Sequence, residues 1–360
     1  MALGIGIVGL PNVGKSTLFN AMTSAGAAAS NFPFCTIEPN VGMAVVRDSR
    51  LDRLAEIFSP EKVTPAVVRF VDIAGLVKDA HKGEGLGNQF LANIREVDAI
   101  CHVVRCFSNE NVVHVHGDVN PLRDVELIET ELILADLQTV DRRLEKVARV
   151  ARTDKTKRSE EAFLREVRET LERGEPARAI SVREETAPLF RELSLLTAKP
   201  VLFAANVGEK DLGNEDSLDV VKRLRDRGEV VVVSAEVEAE IAAMPEEERG
   251  EFLEAMGLKE SGLDRLVKAA YRLLGLETYL TGGEKEVRAW PFRKGTKAPQ
   301  AAGIIHSDFE KHFIRAEVVA FEDLDRCGSM LAAREAGRVR LEGKDYVMRD
   351  GDVVHFRVGV

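Results

Sequence analysis

The chain has 360 residues, of which 45% are hydrophobic and 31% are charged, and its formal net charge is -10 at pH 7. This length predicts two or three domains, and the acidic balance excludes polyanion binding over the whole surface, although a local basic patch could bind RNA. No apolar run approaches the roughly 20 residues that span a bilayer, so we expect a cytoplasmic protein with no membrane partner and no DNA sequence recognition. The four cysteines have no metal-ligand spacing and are interpreted as reduced thiols.

The first predicted elements are an apolar strand over residues 3–8 and a helix over 17–23, joined by the sequence GLPNVGKST. In this GxxxxGK[ST] pattern, glycines let the backbone curl so that successive N–H groups face a phosphate. Lys15 is expected to reach the terminal phosphates and to assist catalysis, and Ser16 to bind Mg²⁺. The sequence therefore predicts nucleotide contacts from Asn12, Val13, Gly14, Lys15, Ser16 and Thr17.

Further apolar runs predict a parallel sheet. They occupy residues 67–71, 99–107, 201–205 and 230–233, and helical segments over 87–95 and 218–227 lie between them. This alternation indicates an α/β fold, in which ligand-binding residues sit in loops at the carboxyl ends of the strands. Near the end of the chain we predict a strand over 287–293, a helix over 299–312, strands over 314–321 and 346–358, and a hairpin turn at Asp350-Gly351.

The sequence DIAGL, which follows the second apolar run, predicts a nucleotide-responsive switch. Asp72 can hold Mg²⁺ through water, and the Gly75 N–H can sense the terminal phosphate during catalysis. Upstream, the segment NFPFCTIEPN offers Thr36 as a second hydroxyl for the metal. The alternative is that Thr36 is an ordinary loop threonine.

Four motifs together, PNVGKST, NFPFCTIEPN, DIAGLVK and GEGLGNQFL, resemble the Obg-related branch of the P-loop GTPases and, within it, the YchF family of Obg-like ATPases. The resemblance runs essentially from end to end. It implies a Ras-like G-domain with an inserted antiparallel coiled-coil arm and a C-terminal β-grasp domain of the TGS type. The expected boundaries are 1–126 and 197–277 for the two parts of the G-domain, 127–196 for the arm and 278–360 for the TGS domain.

The sequence NVGE, after the run at 201–205, bears on which base is bound. GTPases of this class usually carry Asn-Lys-x-Asp here, so Asn206 remains while Val207 replaces the lysine and Glu209 replaces the aspartate. The altered carboxylate weakens the guanine clamp and favours ATP, because a site built on hydrogen bonds discriminates strongly when they are lost. YchF-like proteins also carry Asn-x-x-Glu and prefer ATP, although GTP binding stays an alternative. The remaining base-side loop is expected at Ser234, Ala235 and Glu236.

Hydrolysis is expected to be slow, because Leu76 stands where Ras-like enzymes carry a water-orienting glutamine. Three substitutes are considered: His114, His81 and a K⁺ ion near Asn12. His114 is preferred, since it follows a strand, can accept a proton near neutral pH and corresponds to the histidine assigned this role in the family. We interpret His102, inside the predicted strand, as a core residue.

An insertion between the two halves carries apolar residues at alternating steps of four and three from Ile133 to Ala151, followed by a returning helix near 163–171. Basic residues cluster near its tip, and this cluster is either a solvated helix face or a contact for phosphate backbones. Because family members associate with ribosomes, the resemblance implies the ribosome, through its large subunit, or RNA as the partner of the arm and the TGS domain. The basic residues are Arg142, Arg143, Lys146, Arg149, Arg152, Lys155, Lys157 and Arg158.

Three functions are compatible with these features. The preferred one is Mg²⁺-dependent hydrolysis of ATP to ADP and phosphate, coupled to movement of the switch. The second is an Obg-type GTPase. The third is a binding module in which nucleotide occupancy tunes ribosome or RNA affinity and turnover is incidental.

Overall fold

A computed structural model describes residues 3–25, 40–74, 86–109, 112–115 and 117–359. The chain divides into two compact units, of which the first comprises Met1–Met43 and Arg69–Leu266. The second unit comprises Ala44–Val68 and Val267–Val360. Each unit takes up two separate stretches of the chain. The four segments expected from the sequence do not anticipate that Ala44–Val68 groups with the C-terminal stretch.

The strands within the described residues are β1 (Gly4–Val8), β2 (Val41–Val46), β3 (Lys62–Thr64), β4 (Ala66–Asp72), β5 (Ala99–Arg105), β6 (Val201–Asn206), β7 (Glu229–Val233), β8 (Leu276–Thr281), β9 (Glu286–Arg293), β10 (Phe313–Ala320), β11 (Arg340–Glu342) and β12 (Asp352–Val358). The first sheet has the order β2-β4-β1-β5-β6-β7. Strand β1 is parallel to β4 and β5, and β6 is parallel to β5 and β7. The apolar runs therefore form the predicted parallel sheet, and β1 and β5 are buried along their whole length.

The α-helices within the described residues are α1 (Lys15–Ala25), α2 (Ser49–Phe58), α3 (Leu86–Glu96), α4 (Pro121–Ala151), α5 (Arg158–Glu172), α6 (Ala187–Leu193), α7 (Asp219–Arg225), α8 (Ala235–Ala243), α9 (Glu246–Ala255), α10 (Gly262–Leu273), α11 (Ala298–Ile305), α12 (Ser307–Lys311), α13 (Phe321–Cys327) and α14 (Met330–Glu335). In these ranges, no helix is both long enough and apolar enough to cross a membrane.

Helices α4 and α5 pack against each other through the predicted apolar seam. Val140 and Val147 of α4 share a buried cluster with Phe163 and Val167 of α5. Two surface ion pairs join the helices, Arg143–Glu160 at 2.8 Å and Arg168–Asp141 at 2.7 Å. The partner of the earlier residue in α4 is the later residue in α5. The helices therefore run antiparallel, and the basic residues lie around their connection.

The sheet of the second unit has the order β11-β10-β12-β8-β9-β3. Strand β3 pairs in parallel with β9, and the Thr64 hydroxyl donates to Glu286 at 2.6 Å. This pairing explains why Ala44–Val68 belongs to the second unit. Trp290 stacks on Tyr279 with ring centroids 6.2 Å apart, beside a core that includes Tyr279 and Phe292.

Two predictions for the C-terminal region were wrong in detail. The single helix predicted over 299–312 is two helices, because His306 adopts an extended backbone with φ -157° and ψ 134°. The last strand begins at Asp352 rather than at Tyr346, and Asp350-Gly351 lies in a turn before β12 rather than between paired strands. Gly351 has φ +82°, which fits a turn but not a strand.

Candidate nucleotide site

The predicted site residues lie along the carboxyl ends of the parallel strands. The register pairs Ile7 with Asp72, and Arg105 with Asn206. Asn206 in turn pairs with Val233, so the loops after β1, β4, β5, β6 and β7 begin at one edge of the sheet. This edge is where open α/β sheets bind ligands. The predicted placement of the motifs at strand ends is therefore confirmed for the described residues.

The loop from Gly9 to Gly14, called the phosphate loop below, is tightly curled. Gly14 has φ +92°, and Asn12 has φ +63°, a left-handed conformation that asparagine tolerates better than most residues. A Cβ on Gly9 would lie 2.7 Å from the Val103 carbonyl oxygen, so this position requires glycine. Helix α1 begins directly after the loop, and its free N–H groups and dipole form an anion site at this end.

The side chains predicted to hold phosphate and metal meet at the end of β4. The buried Lys15 ammonium donates to the Asp72 carboxylate, and the Ser16 hydroxyl lies 3.5 Å from the second Asp72 oxygen. A hydroxyl and a carboxylate are hard oxygen ligands, so this donor set fits Mg²⁺. Thr17 is exposed in α1. Thr36, Gly75, Leu76 and His81 lie outside the described residues.

Asn206 connects the phosphate loop to the base-side loop. Its amide nitrogen donates to the Val13 carbonyl at 2.8 Å, and its amide oxygen accepts from the Ala235 N–H at 2.9 Å. Both bonds are buried, where hydrogen bonds are costly to break. Asn206 thus acts as a brace between the two loops.

The other residues predicted to contact the base occupy different environments. Val207 is buried in an apolar cluster with Phe203 and Val232, so its side chain is part of the core. Glu209 is exposed at the start of a short 3₁₀ helix after β6. On the neighbouring loop Ser234 is buried and precedes α8, whereas Glu236 is exposed.

His114 does not face solvent. Its side chain is 1% exposed, and its Nε2 lies 2.8 Å from the Asp124 carboxylate in the first turn of α4. Both side chains are buried, so this hydrogen bond is shielded from water. Asp124 is a partner that the sequence analysis missed. His102 is buried as predicted, and burial together with the charge of Arg178 lowers its pKa to about 3.

Two other buried charged residues were also missed. Arg105 ends β5 with a guanidinium that is almost wholly buried, and Glu238 lies in α8 with its carboxylate against the start of α10. Each could have been noticed as a charged residue next to or within an apolar stretch, because such residues are rarely buried without a purpose. Their partners, however, could not be read from spacing.

The strand, the GK[ST] loop, the helix and the aspartate at the end of a neighbouring parallel strand define a P-loop GTPase-type α/β fold. Two family models match the chain. Residues 4–155 match one described as "50S ribosome-binding GTPase". Residues 276–359 match the C-terminal domain model of the YchF GTPases, described as "Protein of unknown function (DUF933)".

The chain is 55% identical over 366 residues to a Bacillus subtilis protein named ribosome-binding ATPase YchF, with 100% of both chains covered. It is 53% identical over 363 residues to the protein of that name from Escherichia coli O157:H7, again with 100% of both covered. The chain belongs to the YchF family. The solved structure of the Schizosaccharomyces pombe YchF GTPase is similar with a TM-score of 0.89 and 38% identity, covering 99% of this chain and 97% of that one.

Proposed function

We propose that the protein is a Mg²⁺-dependent nucleotide switch that hydrolyses ATP to ADP and phosphate and associates with the ribosome. The observation that carries the proposal is the meeting of Lys15, Ser16 and Asp72 at the N-terminus of α1. The names of the relatives from Bacillus subtilis and Escherichia coli support both the ATPase activity and the ribosomal partner.

Each residue of the phosphate end has a proposed role. Mg²⁺, when bound, neutralises the charge on the phosphate oxygens. Ser16 and Asp72 would hold it, with Thr36 as a further ligand, and the Gly75 N–H would contact the terminal phosphate. Lys15 bonds to Asp72 in the described structure. Its ammonium would therefore exchange that carboxylate for the terminal phosphates when nucleotide binds.

Base selection is assigned to Glu209 and the backbone around Ser234, Ala235 and Glu236. Asn206 already uses its amide nitrogen and oxygen to brace two loops, so it supports the site whichever base is bound. Glu209 is exposed one turn after β6, where its carboxylate has one methylene more than the aspartate of a guanine clamp. This difference supports a preference for ATP.

The first prediction concerns Glu209→Asp. Calorimetric titration in Mg²⁺ buffer is expected to give tighter binding of ATP than of GTP analogues by the unmodified protein, and the variant is expected to narrow that ratio by about tenfold. Val207→Lys is avoided because it would bury an ammonium in the core beside Phe203 and Val232. Asp211→Asn, in the same 3₁₀ helix, is the matched control and should leave the ratio unchanged.

If the unmodified protein bound GTP as tightly as ATP, the Obg-type GTPase would replace the ATPase as the proposed function. An unchanged ratio in Glu209→Asp, with ATP still preferred, would retain the ATPase but remove Glu209 from base selection.

For hydrolysis we propose His114 as the residue that orients the attacking water. The described conformation buries its imidazole against Asp124, so the proposed role requires the side chain to become accessible to water. A K⁺ ion near Asn12 is a second proposed contributor. The Asn12 amide nitrogen donates to the Val113 carbonyl at 3.1 Å, which leaves the amide oxygen as the atom suited to a cation.

The ribosomal contact is assigned to the connection between α4 and α5, acting as a coiled-coil arm, together with a C-terminal TGS domain. Glu160 neutralises part of the basic cluster, since it accepts from Arg143 and Lys157 at 2.8 Å each. The other six cations are exposed. Exposed cations at a helical tip suit a phosphate backbone, and the large subunit or its RNA is the proposed partner.

The second prediction tests this surface with Lys146→Ala/Arg149→Ala, since alanine preserves an exposed helix. Cosedimentation with purified ribosomes at several salt concentrations is expected to give weaker binding, with the slope against log salt concentration reduced by about two. Lys222→Ala/Lys259→Ala removes two exposed cations elsewhere in the same unit, one in α7 and one between α9 and α10, and is the control. Equal loss in both variants, or no loss in the first, would move the contact away from this tip.

A further inference from the structure

Arg105 is a buried arginine at the carboxyl end of β5. The residue is 1% exposed, and within the ranges that the structure describes no carboxylate lies close enough to form an ion pair with it. A buried charge without a counter-charge is expensive unless dipoles surround it. The cost must therefore be offset by polar groups around the guanidinium.

Two of the three guanidinium nitrogens, Nε and Nη2, donate instead to backbone carbonyls of one loop, whereas Nη1 has no hydrogen-bond partner within the described residues. This β5 loop consists of residues 106–109 and 112–115 as described. The guanidinium donates to the Phe107 and Asn109 carbonyls at 3.3 Å each and to the Val112 carbonyl at 2.9 Å. It also lies 4.6 Å from the centroid of the Phe107 ring. A single side chain thus gathers three carbonyls from both sides of the loop.

The same β5 loop also forms a hydrogen bond with the phosphate loop. The carbonyl of Val113, the residue after Val112, accepts from the Asn12 amide at 3.1 Å. Asn12, which makes this bond, has a left-handed backbone conformation with φ +63°. A continuous path of contacts therefore leads from the Arg105 guanidinium through Val112 and Val113 to Asn12.

We propose that Arg105 is a positioning residue for the phosphate loop and thereby a determinant of nucleotide-phosphate affinity. The inference rests on the proposed nucleotide-binding function. The planar guanidinium has five N–H donors in a fixed fork, whereas a lysine ammonium presents its donors from a single atom. Lysine at this position would keep the positive charge but could not hold three carbonyls spread over the loop.

The test is a double-mutant cycle with Arg105→Lys and Asn12→Gly, read as ADP affinity by calorimetry in Mg²⁺ buffer. Glycine at position 12 removes the amide donor but still permits positive φ. Each single variant is expected to bind ADP about tenfold more weakly than the unmodified protein. The double variant is expected to bind ADP no more weakly than the weaker-binding single variant, because both substitutions act through one path of contacts. Arg168→Lys, on the surface pair with Asp141, is the matched control and should bind ADP as the unmodified protein does.

The outcomes separate this inference from the proposed function. If the unmodified protein bound neither ADP nor ATP, the proposed function itself would fail. Normal binding by Arg105→Lys, or losses that multiply in the double variant, would overturn the inference alone. Should Arg105→Lys not fold, hydrogen exchange of the unmodified protein decides. ADP is expected to slow amide exchange in the β5 loop together with the phosphate loop, and unchanged exchange in the β5 loop would overturn the inference.

Discussion

Replacing Gly14 with alanine is expected to lower nucleotide affinity by at least about 100-fold. Gly14 has φ +92°, and a Cβ there would lie 2.3 Å from the Asn206 amide nitrogen. The left-handed backbone costs an alanine about 1–2 kcal/mol. In addition Asn206 must move, which breaks its bond to the Val13 carbonyl and releases the brace on the phosphate loop.

Gly213→Ala separates these two costs. Gly213 also has positive φ, +76°, but among the described residues beyond its two chain neighbours no heavy atom lies within 4 Å of a Cβ built there. It should therefore show the backbone cost alone, as a modest loss of stability with normal nucleotide affinity. The measurement is calorimetric titration with ADP and ATP analogues, with thermal unfolding of each variant alongside. Similar affinities for the two variants would mean that the contact between Gly14 and Asn206 does not shape the site.

Replacing Glu238 with glutamine is expected to stabilise the protein at pH 8. Glu238 is 3% exposed, and its carboxylate accepts from the Gly262 N–H at 2.6 Å, while the second carboxylate oxygen has no hydrogen-bond partner among the residues that the structure describes. Burial raises the pKa of Glu238 to about 7. Hydrogen bonds from the backbone N–H groups of Leu263 and Gly262 lower the pKa, but their effect is smaller than that of burial. Glutamine keeps a carbonyl oxygen for these donors without the buried charge.

Proton linkage fixes the direction in which Glu238 changes the stability of the protein with pH. A folded-state pKa raised from 4.5 to about 7 makes the folded protein bind the proton more tightly than the unfolded chain does. The contribution of Glu238 to stability is therefore fully present below pH 4.5 and is lost as the pH rises through 7. The loss amounts to about 3 kcal/mol at pH 8, which is the ceiling of the gain expected from Glu238→Gln.

Urea unfolding of both proteins at pH 5 and pH 8 measures this difference. Glu238→Gln should be more stable than the unmodified protein at pH 8, and this advantage should shrink strongly at pH 5, where Glu238 is largely protonated in the folded protein. The pH effects of other groups cancel, because both proteins contain them. Glu240→Gln, at an exposed position of the same helix, is the control and should change little at either pH. An advantage of equal size at both pH values would rule out ionisation of Glu238 as the cause.

The sequence predicted the first sheet well because its signal is local. Four mostly apolar runs became the parallel strands β4, β5, β6 and β7, since strands inside a parallel sheet consist mainly of apolar residues. The membership of Ala44–Val68 could not be predicted in this way, because the pairing of β3 with β9 joins distant parts of the chain. The break at His306 was missed because helices lie directly on both sides of it, α11 before and α12 after.

In the site, too, features fixed by local sequence were predicted and features fixed by long-range contacts were not. The phosphate loop and Asp72 were found because a motif fixes backbone shape and nearby side chains over a few residues. The partners of buried polar groups were not found, because Asp124 beside His114 and Val13 beside Asn206 are brought together only by the folded sheet and its helices. For Val207 the motif itself was misleading. Its position in the NVGE sequence predicted a nucleotide contact, but its side chain packs in the core.

The pairing of β3 with β9 has a consequence for synthesis of the chain. Thr64 and its partner Glu286 are 222 residues apart, so β3 leaves the ribosome long before its sheet exists. During that interval β3 lacks β9, the strand with which it pairs, although Met43 before Ala44–Val68 and Arg69 after it belong to the first unit. Completion of the second unit must therefore await the last quarter of the chain, and nascent chains that stop earlier expose β3 as an unpaired strand.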